Sequence, residues 1–158
     1  DLPLAGALAS SDLAGLAQRL AGQFDVSAGV ATALVRRHGT DAQGVLELGA
    51  AAGLLGPLAA GRDYVEAEVP WAAREELALG VEDVLARRTR LAIEQEDQAV
   101  SAAPRVAQLL AAELDWGAKA TDAELARYRS VAGREYSVPT RPAHRTTTMA
   151  PELRGVTG

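Results

Sequence analysis

The sequence predicts an all-α fold, a compact bundle of about six or seven short helices with a disordered C-terminal tail, and three observations predict it. Apolar residues recur at three- and four-residue spacing along most of the chain. Alanine, the strongest helix former, occurs 34 times in 158 residues, while aromatic residues make up only 4%. No segment alternates polar and apolar residues at period two over a useful length, and no internal repeat is present. A chain of this size buries about 68 to 70% of its extended surface on folding, enough for one self-sufficient core made of many small contacts.

The elements follow in order, each with its punctuation. Leu13, Leu16, Ala17, Leu20 and Phe24 form one amphipathic stripe behind Ser10 and Ser11, either of which can accept from the orphan amides of a first turn. Ser27 caps a second helix in which Val30 and Leu34 share a face, and Gly39 follows His38 where a left-handed residue is wanted. Thr40 to Gln43 fits a reciprocal capping box and opens a third helix at a tight corner. Gly49, Gly53, Gly56 and Pro57 end it and make a loop up to Asp63. Val65, Val69, Ala72 and Ala73 mark the next stripe, and Val81, Val84, Leu85, Leu91 and Ala92 the one after Gly80. Pro104 sits in a first turn, ahead of Val106, Leu109, Leu110 and Leu114. Thr121 to Glu124 reads as a second capping box, opening a helix that buries Leu125, Tyr128 and Ala132 and fades by Val138. Pro139, Pro142, Pro151 and the Thr146 to Thr148 run cannot sustain a packed element, so residues 139–158 are expected to be a flexible tail.

Composition excludes several kinds of chemistry. Without cysteine there is no disulfide framework, no cysteine-ligated metal and no thiol catalysis, and nothing requires an oxidising compartment, so a cytoplasmic location is the expectation. A net charge of −5 argues against a nucleic-acid surface. The longest uncharged stretch, Leu48 to Gly61, holds four Gly and Pro57 and is too short to span a bilayer, so no transmembrane segment is expected. The chain starts without Met and without a basic leader, as a piece of something longer would. No GxGxxG, GxxxxGK[ST], HExxH or GxSxG pattern occurs, and His38 and His144 lie far apart, so no catalytic, cofactor-binding or metal-binding residue is assigned. His38, at a helix C-terminus, suits a cation there. The carboxylates Glu66, Glu68, Glu75, Glu76, Glu82, Asp83, Glu94, Glu96 and Asp97 are read as solvated helix faces. Arg87, Arg88 and Arg90 could hold a phosphate as a cluster, although such a row is more often structural.

Two charges interrupt apolar faces. On helical spacing Glu76 continues the stripe of Val65, Val69 and Ala72 or Ala73, and Arg88 lies between Leu85 and Leu91. Each is costly to bury alone, so the two are expected to form an ion pair, with Arg87 as a further candidate, clasping consecutive helices. Removing one partner of a buried pair costs about 3 to 5 kcal/mol.

The stretch from Ala67 to Trp116 resembles the C-terminal domain of the FAD-dependent, quinone-linked glycerol-3-phosphate dehydrogenases and the related glycerol-3-phosphate oxidases. Its most specific parts are EDVLARRTRL, preceded by AEV and followed by the helix of Pro104, Val106, Ala107, Leu109, Leu110 and the final ELDW. LVRRHGTDAQGVLEL resembles the family's preceding helix pair, and DLPLAGA the handover from its flavin domain. The likeness covers residues 1 to about 132 and departs from the family at Trp71, where Tyr is common, and at Pro70, which puts a continuous helix across 65–78 in question. It implies a junction at residues 1–9 from a missing N-terminal flavin domain ahead of the helical cap at 10–138; the tail at 139–158 has no counterpart in the resemblance. The parent enzymes it implies oxidise glycerol 3-phosphate to dihydroxyacetone phosphate with FAD, pass electrons to quinone, and sit as peripheral proteins on the inner face of the cell membrane. Their flavin and catalytic residues belong to the larger N-terminal part, so the resemblance brings FAD to the parent and none to this fragment. The expected function is a non-catalytic domain that packs on the flavin domain of the same chain or self-associates. A free-standing helical adaptor is the alternative, and a small enzyme working through Arg87 to Arg90 a distant third.

Overall fold

The computed structural model describes residues 10–136. The expected junction at 1–9, the tail at 139–158 and the capping side chains of Ser10 and Ser11 lie outside the described residues. Seven α-helices follow one another: α1 Ser10–Phe24, α2 Ala28–His38, α3 Ala42–Ala52, α4 Glu68–Glu75, α5 Leu91–Glu94, α6 Ala103–Leu114 and α7 Ala118–Val131. A 3-10 turn spans Gly39–Asp41, and π-helical turns span Asp83–Arg88 and Ala132–Tyr136. Among the described residues there is no strand, only an isolated antiparallel bridge between Pro57 and Val65.

The apolar residues gather in two cores. Leu16, Leu20, Leu34, Val45 and Leu46 of α1 to α3 close on Val65 and Ala67. Val69, Leu85, Leu91, Val106, Leu110 and Tyr128 form the other, between α4, the first π turn, α6 and α7. Trp71 reaches from α4 onto the first core, lying so close to α3 that a Cβ on Gly44 would stand 2.8 Å from its ring. Tyr128 is fully buried, and its hydroxyl donates to the Gln98 carbonyl at 2.6 Å. That bond satisfies the one polar atom the ring carries into the core.

The helix boundaries match the sequence reading where a cap does the work. Ser27 accepts from the Val30 amide at 3.1 Å, and Gly39 and Gly53 take positive φ at the ends of α2 and α3. Four expectations need correction. The Thr40 to Gln43 capping box does not form: the chain passes from α2 through the 3-10 turn with Asp41 already helical (φ −73°, ψ −12°), and Gln43 bonds Glu47 instead. A capping box needs an extended residue at its start, and none is there. The Thr121 to Glu124 box is likewise absent, because α7 begins three residues earlier behind an extended Gly117, and the Thr121 hydroxyl donates to the Gly117 carbonyl.

Third, the stripe from Val65 to Ala73 is not one helix. Val65 precedes α4, which runs for eight residues with Pro70 third, a position whose amide has no partner within a helix. Fourth, the stripe from Val81 to Ala92 breaks at Arg90, which takes a left-handed conformation (φ 60°, ψ 11°) between the π turn and α5. The wider π turn is closed by the Thr89 amide and hydroxyl, which both donate to the Val84 carbonyl, at 2.9 and 2.8 Å.

Candidate functional site

The polar side chains collect where the two cores meet. Glu68, at the first position of α4, is 3% exposed. One of its oxygens accepts from Arg37 Nε at 2.8 Å and lies 3.2 Å from His38 Nε2; the other accepts from Arg37 Nη2 and from the Val65 amide, both at 3.0 Å. The last turn of α2 thereby grips the first turn of α4 with a two-pronged guanidinium and an imidazole. Arg37 also donates to the Asp63 carbonyl and lies 4.1 Å above the Tyr64 ring. The Tyr64 hydroxyl donates to Glu94 at 3.1 Å, and burial, reinforced by that carboxylate, pushes its pKa up to about 12.

The network continues outward. His38 Nδ1 stands 3.6 Å from Glu76 Oε1, and Arg88 Nε stands 3.2 Å from Glu76 Oε2 while its Nη2 donates to the Glu76 carbonyl. The structure thus brings Glu76 and Arg88 together but leaves their side chains 27% and 42% exposed, so the stabilisation expected of a buried pair does not apply to them. Arg87 faces away from Glu76. It pairs with Asp83 and, at 3.0 Å, with Glu82.

Glu82 is a second hub, 7% exposed. It accepts from Arg87, from Arg127 at 2.9 Å and from the Tyr136 hydroxyl at 3.2 Å, tying the first π turn to α7 and the last turn. Arg127 is also held by Glu124, whose carboxylate accepts from the Val81 amide and is kept below the usual carboxylate range mainly by its hydrogen bonds from Arg127. Glu66 and Glu113 each take a two-pronged Arg, Arg105 and Arg74 respectively. The reading of all these acids as solvated faces is therefore wrong for Glu68 and Glu82. Besides the nearby Val65 amide and Arg87, their partners lie 30 to 54 residues away, beyond what helical spacing displays. These carboxylates are occupied by guanidinium groups, amides or hydroxyls, an arrangement suited to fastening elements together. Among the described residues no group of three or more acids or histidines could hold a metal ion.

A family model for the C-terminal domain of alpha-glycerophosphate oxidase matches residues 1–121. The chain belongs to that family. Glycerol-3-phosphate dehydrogenase 2 of Mycobacterium tuberculosis is 38% identical over 96 residues, covering 60% of this chain and 16% of the relative. The glycerol-3-phosphate dehydrogenase of Mycobacterium leprae is 39% identical over 98 residues, 61% of this chain and 17% of its own length. A probable mitochondrial glycerol-3-phosphate dehydrogenase of Dictyostelium discoideum is 33% identical over 110 residues, 70% of this chain and 17% of the relative. The match to these curated relatives thus spans about one sixth of their length. No solved structure matches the chain. Within this C-terminal domain family the match stops at residue 121, yet α7 runs on to Val131 and buries Tyr128, so the packed unit extends past the matched segment.

Proposed function

We propose that the chain is the non-catalytic helical cap of an FAD-dependent glycerol-3-phosphate dehydrogenase, bracing the flavin domain or a subunit contact. The observation that carries this reading is the family match over residues 1–121 to a C-terminal domain whose relatives are several times longer. In this reading the parent oxidises glycerol 3-phosphate to dihydroxyacetone phosphate, hands electrons to quinone, and works as a peripheral protein at the inner face of the cell membrane. No helix among the described residues is long and apolar enough to cross a membrane.

The described residues do not fit FAD. A dinucleotide needs a glycine-rich turn between a strand and a helix that can close on the pyrophosphate, and the only extended pairing among the described residues is the bridge of Pro57 with Val65. The cofactor therefore belongs, on this reading, to the preceding domain. Leu77, Leu79 and Ile93 stand 79%, 68% and 61% exposed, and the proposal gives them a use, as apolar surface covered by that domain. The Glu76–Arg88 pair and the Glu68 hub hold the cap rigid behind them.

Absorption spectra and assays of two proteins test the proposal: the product of the whole reading frame that contains this sequence, and the 158-residue chain alone. The first should show a flavin band and oxidise glycerol 3-phosphate, the second neither. A flavin band or turnover in the short chain, or a whole gene product without flavin, overturns it.

A further inference from the structure

A cleft of about 380 Å³ opens between the last turn of α2 and the segment from Arg88 to Glu94. Its lining includes four arginines, Arg36, Arg37, Arg88 and Arg90, against a single acid, Glu94, with Tyr64 on one wall. In a chain of net charge −5 this is a strongly local concentration of positive charge. Two of the four are already committed: Arg37 to the buried Glu68, and Arg88 to Glu76. Arg36 and Arg90 are exposed, and among the described residues their guanidinium groups pair with nothing.

Two further features shape this cleft. Arg90 takes the left-handed region, at φ 60°, one of six non-glycine residues to do so among the described residues, and this turns the chain at the cleft between the π turn and α5. The two committed arginines are pinned by hydrogen bonds, so part of the ordering that an anion would demand is already in place. The hydroxyls of Tyr64 and Thr89 donate to Glu94 and to the Val84 carbonyl, which leaves recognition to the guanidinium forks. Planar forks with several donors match the oxygens of a tetrahedral dianion.

We infer that this cleft is a binding site for a small phosphate-bearing anion, inorganic phosphate or a phosphate monoester, with Arg36 and Arg90 as its principal ligands and Arg37 and Arg88 as its fixed wall. The sequence alone groups Arg87 with Arg88 and Arg90; the fold removes Arg87, which turns to Glu82 and Asp83, and brings in Arg36 and Arg37 from α2. The site does not depend on the cap reading, which rests on the family match.

Calorimetric titration of the 158-residue chain with inorganic phosphate and with glycerol 2-phosphate tests it, with glycerol as the uncharged control. Saturable binding of both anions and none of glycerol is expected. Arg36→Gln and Arg90→Gln should each weaken it about tenfold or more, and Arg19→Gln, on α1 away from the cleft, should leave it unchanged. Because the Arg36 and Arg90 guanidinium groups hold no partner among the described residues, both variants should melt like the parent, and their Nε–H resonances in the parent should shift on titration. Absence of saturable binding, an equal loss in Arg19→Gln, or shifts confined to other arginines overturns the inference, and leaves the assignment as a cap domain standing.

Discussion

Glu68 is the residue on which the junction of the two cores turns, because it is 3% exposed and surrounded by donors rather than by water. Two Arg37 nitrogens, one His38 nitrogen and the Val65 amide fill its acceptor sites, which is what a buried carboxylate requires. Replacing it by Gln keeps the shape but leaves Arg37 without a counter-charge and turns one acceptor into a donor. Glu68→Gln should therefore lower stability by about 2 to 4 kcal/mol, read as a shift in the urea midpoint at neutral pH. Glu76→Ala, acting on a pair open to solvent, should cost less than about 1 kcal/mol. Equal losses would show that burial does not rank these acids. Glu76 and Arg88 were legible in the sequence because both interrupt apolar stripes at helical spacing. Glu68 was not, since it starts a helix and meets its side-chain partners from 30 and 31 residues away, where no phase relation exists.

At the scale of elements, α3 shows how a glycine can be misread. Gly49 lies inside the helix, not at its end, and a Cβ there would stand 2.5 Å from Leu55 Cδ2 and 2.9 Å from the Ala67 Cβ. The leucine tip can move, but the alanine Cβ is fixed to backbone that is itself bonded to Leu54 through the Ala67 amide. Gly49→Ala adds about 1 kcal/mol of helix propensity and loses more to overpacking, so the net should be a destabilisation of about 1 to 2 kcal/mol. A thermal melt that rises above the parent's would show that the 65–67 segment yields. Single-residue signals with one local geometry, Ser27 as a cap, Gly39 as a positive-φ residue after His38 and Gly53 among the residues that end α3, read correctly from sequence. Signals that require a particular backbone at their start did not: both capping boxes have the right side chains on a chain that enters the helix another way. The π turn and the break at Arg90 were invisible for a related reason, because Val81 to Ala92 keeps an apolar pattern that fits a continuous helix as well as two short pieces.

At the scale of the whole molecule, the packed unit and the family match do not end together. The match stops at residue 121, whereas Tyr128 and Ala132 close the core formed by α4 and α6. Tyr128 also bonds the Gln98 carbonyl, and Arg127 bonds the buried Glu82. A chain ending at residue 121 would thus strip Leu125, Tyr128 and Ala132 from that core and leave Glu82 without Arg127 or Tyr136. Losing a Tyr side chain alone from a core costs about 3 to 5 kcal/mol, a large part of what a domain of this size has in reserve. The core of α1 to α3, which contains no residue beyond Trp71, has no direct contribution from α7 to lose. The 1–121 chain should therefore unfold in two separated steps or without cooperativity in urea, with the Trp116 environment already solvated where Trp71 fluorescence is still native. A single sharp transition at the midpoint of the full chain would mean that α7 is an appendage, and that the matched segment is the complete folding unit.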